Sequence, residues 1–130
     1  MSGKLRGHAI LIIEDEPLIA LELRQIVEGA GAHVFAATQL AYALRLADHP
    51  DLSAAVLDYR LGQEDVEPLC RRLEQRGIPF IFYSGHADAL KLWPEAILVS
   101  KPSTGNAILE ALSGALQRPL PRARISAPTT

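Results

Sequence analysis

Four places in the sequence carry side chains able to do chemistry together: Glu14-Asp15-Glu16, Asp58, Ser84-Gly85 and Lys101-Pro102. Each follows a short apolar run, directly in the first three and after one serine in the case of Lys101. Carboxylates from two separate runs suit a hard cation such as Mg2+ (or Mn2+), which takes oxygen ligands, keeps several waters and completes its shell with substrate phosphate. Phosphoryl transfer needs an in-line nucleophile and neutralisation of the equatorial oxygens, and a carboxylate, a cation, an ammonium and a hydroxyl supply those parts. Asp58 is the natural nucleophile of the set. Taken singly, each residue has a plainer reading: an acid at a helix start, a solvated loop acid, a surface lysine, a turn serine. Their joint placement favours the chemical one.

Five short apolar runs must position these groups: Ala9–Ile13, His33–Ala37, Ala54–Leu57, residues 79–83 and residues 96–99. Most are apolar throughout and do not alternate, which predicts strands buried on both faces. Helical patterns lie between and after them over residues 18–28, 40–48, 66–75 and 107–117, with a short fourth helix expected near 88–92. Pro17 suits a first helical turn, Thr38 and Ser103 or Thr104 can cap, and Gly31 and Gly77 follow helices as terminators. Strand alternating with helix gives a parallel sheet wound on both faces through right-handed crossovers. In such sheets the ligand site lies beyond the carboxyl ends of the strands, where strand order reverses, and there the acids, serine and lysine fall.

The chain has 130 residues, room for one domain with a single sizeable core, expected over residues 7–118 with a disordered tail over 119–130. Hydrophobic content of 48% and charged content of 22% are ordinary for a folded domain. A net charge of -2 argues against nucleic acid as a partner. The first apolar run is too short for a membrane span and meets acids at once, so a cytoplasmic protein without membrane attachment is expected. Cys70 is the single cysteine and falls in an apolar helical pattern, which reads as a buried, inert thiol. Trp93 reads as packing or an interface anchor, and His8, His33 and His49 are scattered without metal spacing.

At this point the chain resembles the receiver domain of two-component response regulators. The resemblance is carried by Ile10-Leu-Ile-Ile-Glu-Asp-Glu-Pro17, Val56-Leu-Asp-Tyr-Arg-Leu-Gly62, Phe82-Tyr-Ser-Gly85 and Val99-Ser-Lys-Pro102, in that order. It implies a flavodoxin-like α/β fold with a five-stranded parallel sheet in the order 2-1-3-4-5. It also implies phosphorylation of Asp58 by a histidine kinase, a histidine phosphotransfer protein or both, in a stand-alone receiver, with room for a homodimer. By the same resemblance Asp15, Asp58 and the backbone carbonyl of Arg60 bind the metal, and Glu14 acts through a metal-bound water. Lys101 pairs with Asp58 and the phosphoryl oxygens, and Ser84 bonds a phosphoryl oxygen in the active state. Gly85 leaves the donor room, His86 tunes phosphoryl lifetime, and Pro102 takes a cis peptide bond.

The sequence departs from that family at Leu98, where receivers usually carry Tyr or Phe as a switch aromatic. The segment between Ser84 and Lys101 is short, and the loop after Asp58 lacks the frequent Met-Pro. Two other functional classes share part of this pattern. A pseudo-receiver keeps the fold without phosphorylation, and Leu98 leaves it open. A haloacid-dehalogenase-type phosphatase wants a second Asp where this chain has Arg60.

Overall fold

The computed structural model describes residues 3–85 and 88–117. The expected strands form one sheet: β1 (Ala9–Ile13), β2 (His33–Ala37), β3 (Ala54–Leu57), β6 (Phe80–Ser84) and β7 (Ile97–Ser100). Their order is β2-β1-β3-β6-β7 with every pair parallel, which is the doubly wound order expected from the sequence. Between β3 and β6 the chain adds β4 (Arg60–Leu61) and β5 (Glu64–Asp65), an antiparallel hairpin that sequence reading does not anticipate.

The three central strands are buried at every position, as uninterrupted apolar runs require. Alternate residues divide between two layers. Leu11, Ile13, Ala55, Leu57, Phe80 and Phe82 join Leu69, Cys70 and Leu73 of α3 (Glu67–Gln75) and Ala43 of α2 (Leu40–Leu46). Ile10, Ile12, Ala54, Val56, Ile81 and Tyr83 face Leu23 and Val27 of α1 (Pro17–Gly29) and Ile108, Leu112 and Ala115 of α5 (Gly105–Gln117). The sheet is thus covered by two helices on each face, and α4 (Ala89–Leu92) is a single turn.

Helix boundaries follow local chemistry. Pro17 opens α1 without giving up a needed N–H. Gly31 and Gly77 sit at φ 100 and 72 after α1 and α3, the left-handed conformation that glycine tolerates. Thr104 caps α5, its Oγ1 accepting the Ala107 amide at 3.0 Å. Thr38 does not cap α2; Gln39 stands at that position and makes no side-chain cap bond. The Cys70 thiol is buried, and burial pushes its pKa up, as expected of an inert cysteine. Trp93 is fully buried, edge-to-face with Phe80 at 5.5 Å, so of its two readings packing is the observed one. Tail residues 119–130 and His86 lie outside the described residues.

Candidate functional site at the carboxyl edge of the sheet

Strand order reverses between β1 and β3, and their register sets Ile13 beside Leu57. The next residue on each strand is an acid, and both are held by backbone: the Asp58 amide donates to the Ile13 carbonyl at 3.0 Å and the Glu14 amide to the Ala37 carbonyl at 3.3 Å. Asp15 follows before α1 begins. One carboxylate oxygen from each of Glu14, Asp15 and Asp58 falls within 4.8 Å of the others, and no other group of three ligand side chains among the described residues does so.

From the other side, β6 and β7 bring Ser84 and Lys101. The Lys101 amide donates to the Ser84 carbonyl at 3.1 Å, extending the ladder one step beyond Ser100. Lys101 Nζ lies 2.9 Å from Asp58 Oδ2, as a directed hydrogen bond, and 2.8 Å from Glu14 Oε1. The second contact is an ion pair whose direction leaves Oε1 without a proper hydrogen bond. Glu14 Oε2 accepts the Glu16 amide at 3.1 Å. Ser84 is 1% exposed, and Lys101-Pro102 is a cis peptide.

Burial raises the Glu14 pKa from its ordinary value, with Lys101 and the Glu16 amide only partly countering it, since the side chain is 1% exposed. Burial alone lowers that of Lys101, but the Glu14 and Asp58 carboxylates outweigh it and the net direction is up. The ammonium therefore stays charged through the neutral range. A charged Glu14 costs the folded state free energy at neutral pH, and this cost fades as pH falls through its raised pKa toward the ordinary glutamate value. In metal-free buffer Glu14→Gln is accordingly expected to melt higher than wild type at pH 7. The two melting temperatures should converge in acid, and a gap that widens in acid would contradict this assignment of charge cost.

The donor set fits a hard cation: three convergent carboxylates, all oxygen, gathered at the ends of two neighbouring strands. The hairpin β4–β5 meets this set at its loop, where the Gly62 amide donates to Asp15 Oδ2 at 2.9 Å. Arg60 sits on the hairpin; its guanidinium reaches Asp88 at 3.7 Å, an exposed pair worth at most about 1 kcal/mol. Gly85 is exposed at the end of β6. Leu98 lies on the edge strand β7 beside Phe82, partly buried against the α2/α3 layer.

Sequence reading did not find the hairpin, the Arg60–Asp88 pair or the bond from the Ser103 amide to the Tyr83 hydroxyl at 3.2 Å. A Gly-X two-residue loop at Gly62-Gln63 is the one local signal that points to the hairpin. His8, His33 and His49 are not scattered in space: with Phe35 and Asp51 they line one open pocket of about 490 Å³ at the opposite, amino edge. His49 Nδ1 accepts the Asp51 amide at 3.1 Å.

The family profile of the response regulator receiver domain matches residues 10–113. The chain is similar to the phyllosphere-induced regulator PhyR of Methylorubrum extorquens, 32% identical over an alignment 114 residues long that covers 82% of this chain and 43% of that protein. It thus spans less than half the length of that curated relative. The solution structure of SdrG from Sphingomonas melonis Fr1 aligns with a TM-score of 0.72 at 36% identity, over 84% of this chain and 95% of that one. A crystal structure of a mutant anti-anti-sigma factor PhyR from Bartonella quintana aligns with a TM-score of 0.75 at 26% identity, over 88% of this chain and 50% of that one.

Proposed function

The chain belongs to the response regulator receiver domain family, and from that premise we propose that it accepts a phosphoryl group on Asp58 from a phosphohistidine donor, in a two-component system or phosphorelay. The observation that carries the reading is the Lys101 ammonium set between Asp58 and Glu14 while Asp15 stands beside them. Lys101 fixes one oxygen of Asp58 and leaves the other to attack phosphorus. The O–P bond forms as the P–N bond to the donor imidazole breaks, and the imidazole leaves with a proton from solvent. Lys101 then shares its charge with the phosphoryl oxygens, and Ser84 turns its hydroxyl to one of them.

Asp15, Asp58 and the Arg60 carbonyl are the proposed ligands of Mg2+ or Mn2+, with Glu14 reached through water. When bound, the ion neutralises charge on the transferring group. His86, Gly85 and Leu98 are proposed to tune lifetime and response. The output we propose is docking on another protein or onward phosphotransfer; the Bartonella quintana relative carries the description anti-anti-sigma factor.

Donor docking is supported by α1, which starts beside the acids and exposes Leu18 at 80% and Leu21 at 51%. Apolar side chains this exposed, next to the reacting carboxylate, suit the apolar face of a donor helix. The test is phosphotransfer from a phosphorylated histidine protein compared with a small phosphoramidate. Leu18→Ser combined with Leu21→Ser is expected to slow transfer from the protein about tenfold or more, one lost anchor being worth on the order of 1 kcal/mol or above. Transfer from phosphoramidate should be unchanged. Equal rates from the protein donor would remove α1 from the docking surface, and no transfer to wild type from either donor would favour a phosphorylation-independent binding module.

A further inference from the structure

The hairpin after Asp58 supplies no side chain to the acid cluster, yet it touches that cluster at one point. Its strands pair Arg60 with Asp65 and Leu61 with Glu64, leaving Gly62 and Gln63 as the loop. At its neck the Val66 amide donates to the Tyr59 carbonyl at 2.9 Å. Tyr59, Leu61 and Val66 are buried, and the Tyr59 ring meets Phe82 edge-to-face at 5.7 Å. One side of the hairpin is therefore fastened to the core, while its tip carries the Gly62 amide to Asp15 Oδ2 at 2.9 Å across 47 residues of sequence.

Asp15 differs from the other two acids in what holds it. Glu14 and Asp58 both meet Lys101, whereas Asp15 makes no ion pair among the described residues and its bond from Gly62 is the tether observed. Gly62 lies at φ +59, so the amide is aimed by a left-handed backbone that β-branched residues resist. A Cβ there would stand 3.9 Å from Asp15 Oδ2, an ordinary contact, so backbone conformation and not space is what glycine supplies.

We propose that Gly62 is a positioning residue for the metal ligand Asp15: its amide holds Oδ2 and leaves the second carboxylate oxygen to the ion, so that cation affinity depends on the hairpin. This rests on the proposed placement of a divalent ion at Asp15. Groups that orient a ligand from behind are typically worth roughly 10–100-fold in metal affinity. By linkage the effect runs both ways, and an ion on Asp15 also steadies the hairpin that displays Arg60, Gln63 and Glu64 to solvent.

The experiment is Mg2+ titration of the full chain by NMR, together with amide hydrogen exchange at residues 62 and 66. Gly62→Val, strained at this φ, is expected to lose about tenfold in Mg2+ affinity. Gly62→Asn, whose side chain tolerates the left-handed region and whose N–H is retained, should stay near wild type. In metal-free protein Asp15→Ala should speed exchange at Gly62 while the Val66 amide stays slow. If wild type fails to bind Mg2+, the metal placement fails, and the exchange comparison still decides whether the tether exists. If wild type binds Mg2+ and Gly62→Val binds it as tightly with residue 66 still protected, the positioning role is overturned. Unchanged Gly62 exchange in Asp15→Ala overturns it as well, and does so without a strained variant.

Discussion

Asp58→Asn and Asp58→Ala are expected to take up no phosphoryl group under conditions expected to label the wild type, a loss to background. Neither an amide nor a methyl group can attack phosphorus. The expected loss is one of chemistry and not of folding. The Asp58→Asn substitution keeps the shape of the side chain, the backbone amide at that position still donates to Ile13 across β1 and β3, and Lys101 keeps Glu14 as a partner. Circular dichroism should show the fold of Asp58→Asn intact beside the blank labelling result. Residual labelling at the wild-type level would mean that another nucleophile, such as a histidine, carries the group.

Asp15→Ala is expected to weaken Mg2+ binding by at least about tenfold, since it removes a proposed direct oxygen ligand from a strongly hydrated ion that protein sites hold by only one or two carboxylates. Glu14 cannot substitute easily. Its carboxylate is tied to Lys101 and to the Glu16 amide, and burial already disfavours its charged form. Labelling by a small phosphodonor should fall in parallel, because the charge of the transferring group is then met by Lys101 alone. Affinity unchanged in a titration would place the ion elsewhere.

Much of this site was legible in the sequence because a parallel sheet converts strand ends into a site. Once runs such as Ala9–Ile13 and Ala54–Leu57 read as strands buried on both faces, the residues after them had to meet at one edge. Helix boundaries were legible where a single residue decides them, as at Pro17, Gly31 and Gly77. Thr38 misled because two residues compete for one cap position, and Gln39 occupies it without a side-chain bond. The hairpin escaped notice since strands of two residues leave no periodicity to read. Contacts such as Gly62 to Asp15, or His8 with His33 and His49 at one pocket, join residues whose separation in sequence carries no signal of proximity.

Leu98 shows a different limit. Its sequence reading raised the question of how the switch is relayed without an aromatic ring, and the structure places it partly buried on the edge strand beside Phe82. An aliphatic side chain has no polar tip to exchange solvent for a partner, so a smaller difference between states is expected there. The first helix and the hairpin, both touching the acid cluster, are the surfaces expected to report phosphorylation instead.

The proposed role of Asp58 is that of a phosphoryl acceptor supported by a cation. The decisive measurement is the intact mass of the wild-type chain after incubation with phosphoramidate and Mg2+. The expected result is one added phosphoryl group per chain, lost when a chelator replaces Mg2+ and mapped to Asp58 after reductive trapping of the acyl phosphate. A wild-type mass that does not change, or a label that maps to another residue, would contradict it.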